Sequence, residues 1–501
     1  SSAASDVYKR QVLSIPVLSQ HSFQFTYATV MDELLANGAV DTQGNVVLVG
    51  VQGEHIGHIY DAFIMKVRPD GSYLTRCFVK EDTVSFFTSV TVLDNGNYFV
   101  TGAYSPSGLF DYSNHLWILI LGRELDVIDE KAYPVDTAYI GFGPQMQTVI
   151  DNNGNIAMAG HAKRLINPNQ FRTDFAFYKC TQQGDTLLSR YYYTLMNSTP
   201  YHLRKMPGSD KLMLIGQSFN VYQQPELSFL DSDMNVLYWR LFNPYQNFGF
   251  SFLRSDLWLN QSEFLMSARN FWTIGNQIEH YIGVYRVDTL GQILDELALD
   301  RPDTLDCVAW RKSMAYANDS TIFIGGFQSY NAIWHTTPNL VYFYLIDRDM
   351  NLLGQKDFFP GDAHYQPWGI LSTPDNGCLM WGQIYRNPHG ILERDIFVWK
   401  ILREEIDLIT SVETIDPPPK HSKAWPNPVN DVFFVSLDGI NAMQGIRLQI
   451  YDMKGVKISE RHFKDNGNVL RINVNNLAPG TYIYNISTGN GKVIDGRFVK
   501  Q

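Results

Sequence analysis

The chain has 501 residues, a net charge of −11, and 45% hydrophobic against 18% charged residues. That length exceeds one ordinary core and the composition is globular, so several domains or one repetitive domain are expected. The acidic balance argues against nucleic acid and anionic membrane surfaces, which favour a basic face, and no apolar run reaches the roughly 18 residues of a membrane-spanning helix.

Residues 1–11 stand apart. Asp6-Val7-Tyr8-Lys9-Arg10-Gln11 reads like the translation of a sequencing-library adapter, so this segment is expected to be non-native. The true start, with its signal peptide, is then expected to be missing.

From residue 12 onward an apolar run ending in Gly recurs. VVLVG ends at Gly50, YFVTG at Gly102, IAMAG at Gly160, LMLIG at Gly216 and CLMWG at Gly382; IFIGG covers Gly325, and EFLMS ends at Ser267 in the one gap. The spacings are 52, 58, 56, 51, 58 and 57 residues, the period of a repeat architecture. Before most runs sits an Asp/Asn/Gly turn such as Asp94-Asn95-Gly96-Asn97, suited to a hairpin because Asp bonds its own backbone and Gly accepts positive φ. A second strand follows each run, as in HLWILIL (115–121) and DIFVWKI (395–401), then another short turn and one more strand. Four antiparallel strands per unit and seven units predict an all-β fold: a seven-bladed β-propeller over 12–410. The last unit lacks a fourth strand, which residues 21–30 are expected to supply.

In such a meander the short turns share one face, and the longer loops 103–114, 161–173, 268–280, 328–339 and 384–394 share the other. Aromatics on the longer loops and the connections between units make Trp272, Trp334, Tyr365 and Trp368 the candidate ligand-binding residues, because rings stack on sugars and anchor protein contacts. His55 and His58 share a loop, but no third ligand is evident, so no metal is expected. Glu404 and Glu405 read as a solvated edge. The cysteines Cys77, Cys180, Cys307 and Cys378 are far apart and read as single buried thiols. No G-x-S-x-G elbow or H-E-x-x-H helix occurs, no catalytic residue stands out, and no cofactor is expected.

The Pro-rich stretch at 416–419 marks a linker over 411–424, and a different strand pattern follows. It opens on Pro426-Asn427-Pro428, continues through Tyr451-Asp452-x-x-Gly455 and Leu477-x-x-Gly480-x-Tyr482, and ends near Lys500. Residues 425–501 thus predict a small Ig-like β-sandwich. These marks closely resemble the type A sorting domain of the type IX secretion system in Bacteroidota, with Trp425 where Tyr is usual. The resemblance implies a signal peptide for the inner membrane, export across the outer membrane by the type IX machinery, and removal of the domain on export. The cargo is then secreted or held at the outer-membrane surface. Asp-Thr followed by an apolar residue resembles the O-glycosylation motif of Bacteroidota surface proteins, making Thr83, Thr137, Thr186, Thr289 and Thr304 candidate acceptors.

The expected function is a non-catalytic surface propeller that binds a glycan or protein ligand. A polysaccharide hydrolase or lyase, and a structural adhesin or envelope component, are the alternatives.

Overall fold

The computed structural model describes residues 22–54, 59–80, 83–105, 115–134, 139–142, 146–167, 170–192, 197–219, 223–241, 252–274, 277–299, 301, 305–328, 338–386, 394–408, 424–436, 446–452, 456–463, 469–488 and 493–501. Two compact units divide at residues 409 and 410. Residues 1–11, Thr137, His55, His58, Thr304, Trp334 and Gly455 lie outside the described residues, as does the expected linker up to residue 423.

Among the described residues the first unit is built of seven antiparallel sheets, mostly four-stranded. The first sheet runs Asp32–Val40, Val46–Glu54, Ile59–Val67 and Tyr73–Phe78 in order, and the next five repeat that meander. The seventh takes His364–Ser372, Gly377–Tyr385 and Arg394–Leu402 from its own repeat and Phe23–Tyr27 as its outer strand. The N-terminal strand therefore supplies the fourth strand expected of it. An unforeseen strand, Asp407–Leu408, is added to the outer edge of the sixth sheet, against Leu352–Phe358.

The middle strands are apolar on both faces because each sheet is covered on both sides. Seven core clusters make the seams. One joins the first and second sheets through Val47, Ile64, Val100 and Trp117. Another joins the sixth and seventh through Phe323, Phe343, Tyr365 and Trp399. The seam of Leu35, Phe63, Leu379 and Trp381 joins the seventh sheet back to the first. Outer strands are half-solvated, as in Ile293–Leu299, where most side chains are exposed.

Two expected loops are strand. Residues 161–173 lie almost wholly in the hairpin Ile156–Asn167 with Gln170–Cys180, and 268–280 in Glu263–Ile274 with Gln277–Asp288. The cross-strand ladder simply continues past the short run seen in sequence, through pairs such as Arg164 with Arg172. Cys77 is exposed, against the expectation of burial, because it sits on an outer strand; Cys180, Cys307 and Cys378 are buried, and none of the four is in a disulfide.

The second unit holds a three-stranded sheet of Ala424–Trp425, Val432–Ser436 and Val469–Asn473. Facing it is a four-stranded sheet of Ile446–Asp452, Lys457–Phe463, Gly480–Thr488 and Val493–Lys500. Val435, Ile450, Ile472, Tyr484 and Phe498 fill the space between.

Candidate ligand site along the inner strands

The first strands of successive sheets neighbour one another, and five of them carry a one-residue bulge. The bulged residues are Ala36, Thr88, Tyr201, Arg254 and Trp368. The bulge explains the recurring glycine. A Cβ on Gly50 would lie 1.8 Å from the Leu34 carbonyl oxygen, on Gly102 1.9 Å from that of Phe86, and on Gly382 2.2 Å from that of Gln366. Only glycine lets the bulged backbone pass so close.

The sixth sheet departs from this plan. Its first strand is split into Asp306–Val308 and Met314–Asn318, with Ala309–Ser313 between them. Backbone bonds staple this segment on both sides. Ala309 N–H donates to the Gly325 carbonyl at 3.0 Å, and Gly325 N–H donates to that of Ser313 at 2.8 Å. Toward the seventh sheet, Trp310 N–H donates to Pro367 at 3.1 Å and Arg311 N–H to Trp368 at 2.8 Å; Ile370 N–H donates to Lys312 at 2.6 Å. The segment delivers one aromatic and two cations to the shared inner side.

There the Arg254 guanidinium lies 4.4 Å from the Trp310 ring centre and 5.6 Å from that of Tyr201. The Arg311 guanidinium lies 5.2 Å from Tyr201 and 5.5 Å from Trp368. One tyrosine ring therefore serves two guanidiniums. Burial, then the cations of Arg311 and Arg269, push Arg254 down to about 10. Burial pushes Lys312 down to about 7, with Arg204 adding to the effect. The fully buried Asp256 is engaged by Arg204 at 3.0 Å and by His202 at 3.3 Å. Burial works to raise its pKa, but these two partners hold it lowered. Among the described residues, Arg311 and Lys312 form no ion pair.

Of the four expected ligand residues, the structure brings one here. Trp368 is half-buried at its bulge. Tyr365 is 5% exposed, so its expected exposure on a loop is corrected: the ring packs in the seam, with centroids 5.3 Å from Phe397 and from Trp399. It lies at the base of a groove of about 440 Å³ also lined by Phe25, Phe358 and Phe359. Trp272 is on a strand, paired with Glu279, and not in a loop. Tyr201, Arg254, Trp310, Arg311 and Lys312 escaped the sequence reading; their one signal is a position shortly before a recurring apolar run. Among the described residues no group of His, Cys, Asp and Glu could hold a metal. Glu404 is exposed, in a short 3-10 turn. Of the candidate acceptors, Thr186 is exposed, while the Thr83 hydroxyl donates to the Lys80 carbonyl at 2.9 Å; Thr289 is half-buried in a turn.

In the second unit the sequence marks converge on the last strand. The Asn427 side-chain oxygen accepts from Val499 N–H at 2.8 Å, and Gln501 N–H donates to the Val429 carbonyl at 2.9 Å. Pro426 and Pro428 flank that bond, both exposed. The Tyr482 hydroxyl donates to Ala478, and its ring stacks on Phe498 at 5.4 Å. Asp452 closes a turn by accepting from Val456 N–H at 2.9 Å, the Tyr451 hydroxyl donates to Gln449, and Leu477 packs on the core. Gly480 opens its strand opposite Lys500.

These features define an all-β protein with a propeller-like repeat unit and a separate C-terminal β module. Residues 423–501 match the family of the secretion system C-terminal sorting domain. The tail is a type IX sorting domain, and the protein is secreted or displayed at the cell surface. No helix among the described residues is long and apolar enough to cross a membrane.

No curated protein matches the chain in sequence. Among solved structures, a fungal alcohol oxidase of the AA5 family in complex with copper is 10% identical, covering 95% of this chain and 98% of its own, with a TM-score of 0.44. The polysaccharide lyase Uly1 is 8% identical over 73% of this chain and 89% of its own, with a TM-score of 0.46. The β-propeller domain of the Trilobed protease from Pyrococcus furiosus is 10% identical over 79% of this chain and 98% of its own, with a TM-score of 0.40. At such identities nothing about their functional residues transfers to this chain.

Proposed function

We propose that residues 12–410 form a seven-bladed propeller that acts as a non-catalytic binding module for a glycan or protein ligand. The type IX machinery exports it with an Ig-like tail, residues 425–501. Seven seams, the last returning to the first sheet, support the blade count. The observation that carries the binding reading is the stapled segment Ala309–Ser313. It brings Arg311 beside Trp368 and Tyr201, where a simple bulge would have sufficed to build the sheet. Probing a glycan array and a surface-protein pull-down with the full chain tests this. Binding that Trp368→Ala reduces supports it; no binding in either format overturns it.

A further inference from the structure

The groove of about 440 Å³ over Tyr365 lies between the outer strands of the sixth and seventh sheets, a volume within the range of small-molecule pockets. Its position follows from the closing strand. Phe23, Phe25 and Tyr27 pack against the seam with the first sheet, so strand alternation turns Gln24 and Thr26 to the other face. There they stand beside Trp399 and Phe397, their partners across the ladder, whose rings belong to the seam with the sixth sheet. The floor is a continuous run of rings, with Trp399 5.3 Å from Phe358 and 5.3 Å from Tyr365 between centres. One wall is Phe359, which is 62% exposed and so free to be touched. The turn that follows holds this ring in place before any ligand arrives: Pro360 restrains its own φ, and Gly361 takes a φ of +78°. The Phe359 ring closes on that turn, 3.6 Å from where a Cβ on Gly361 would stand.

No charged residue lines the groove. Next to it the Tyr365 hydroxyl donates to Asp362 at 3.1 Å and Arg386 pairs with Asp362 at 2.7 Å, so those charges are spent on each other. Gln24 and Thr26 are exposed, and among the described residues their side chains make no hydrogen bond, which leaves an amide and a hydroxyl for a ligand. A purely apolar ligand would strip water from both without replacing it, and a charged one would meet no countercharge. A ring with an apolar face and uncharged hydroxyls at its edge meets both demands. Resting on the binding-module reading, we propose that this groove is a further site of the module and holds a neutral pyranose of a glycan. The sugar face lies against Phe359, and its hydroxyls bond Gln24 and Thr26. Because those two residues come from the closing strand and Phe359 from the sixth sheet, a bound sugar also ties the N-terminal strand to its neighbour.

The test titrates the full chain calorimetrically with neutral tetrasaccharides built of glucose, mannose or galactose, and with a tetragalacturonate as the charged counterpart. A neutral sugar should bind, and the uronate should bind it less tightly. Phe359→Ala should weaken the neutral sugar at least about tenfold, the scale of a lost aromatic anchor, and Gln24→Ala should weaken it too. Trp239→Ala removes an equally exposed ring from the outer strand of the fourth sheet and should change nothing. With sugar bound, hydrogen exchange at the amides of Phe23–Tyr27 should slow, because a ligand stabilises the state that it bridges. If Phe359→Ala does not fold, Gln24→Ala and the exchange rates decide. Uronate bound as tightly as the neutral sugars, Phe359→Ala binding at full strength, or unslowed exchange overturns the groove. So does the absence of neutral binding, and a charged glycan or a protein captured in the array and pull-down would then leave the binding module standing without this site.

Discussion

The Lys312 ammonium donates to the Gly38 carbonyl at 2.7 Å, so the sixth sheet is tied directly to the first, past the inner strand of the seventh. The carbonyl accepts from a charged or a neutral amine, but burial favours the neutral one. With a folded pKa near 7 and an unfolded value near 10.4, the unfolded chain binds the extra proton between them. This group's contribution to stability should therefore rise from about pH 7 toward pH 10. Lys312→Met should flatten that rise; urea unfolding of both proteins across the window measures it, and parallel curves would refute the assignment.

Glu33 gives the opposite slope at lower pH. Its side chain is fully buried, accepting from Gln52 Nε2 at 3.0 Å and from the Thr29 hydroxyl, with Oε2 unpaired. Burial, assisted by the charges of Asp395 and Asp32, raises it to about 7. An acid raised on folding stabilises below its unfolded pKa and loses that contribution as pH climbs through the folded one. Glu33→Gln should match the parent near pH 4 and exceed it by roughly 1–3 kcal/mol at pH 8. A glutamine variant less stable at pH 8 would show that the charged form is the native one.

Phe23–Tyr27 covers the exposed edge of Arg394–Leu402, and Phe25 stacks on Tyr73 at 4.9 Å. Deleting residues 12–30 removes three half-buried rings and reopens that edge. The loss should be about 3 kcal/mol or more, far beyond a surface truncation. Thermal melts of the two proteins compare them, and equal midpoints would mean the strand is dispensable.

A chain lacking residues 425–501 should fold and accumulate in the periplasm of a type IX-competent host. Asn427→Ala, which removes the bond to Val499, should lower surface delivery partially. Fractionation and surface proteolysis read both, and unimpaired delivery of the truncated chain would place the signal elsewhere.

Among the Asp-Thr sites, Thr186 is exposed, whereas the Thr83 hydroxyl is spent on Lys80. In a Bacteroidota host, glycopeptide mass spectrometry should find hexose on Thr186 before Thr83. Bare peptides at both would dispose of the motif.

The repeat was legible because one physical demand recurs: where the inner strand bulges closest over its neighbour, glycine faces it, as Gly50 faces Leu34, although Ser267 faces the bulge at Arg254. Turn chemistry marked the hairpins for the same local reason. The site was not legible. Ala309–Ser313 holds no Gly, Pro, Asn or Asp to mark a break, and only its long-range bonds to Pro367 and Trp368 show it as an excursion. Tyr365 and Trp368 looked alike in sequence, but they stand three residues apart on one strand and so face opposite sides, with Trp368 itself the bulged residue. Tyr365 enters the seam with the sixth sheet, and Trp368 packs partly buried beside the seam with the first.

The pairing of Phe23 with Lys400 also sets a schedule. A strand made early must wait, unpartnered, until the last repeat has left the ribosome. Six sheets can assemble on neighbours already present, but the seventh depends on the most distant meeting in the unit. Until then the edge of Arg394–Leu402 is open to any other strand, including the same segment of a second copy. The interval before that meeting is when this protein most needs a chaperone at its side.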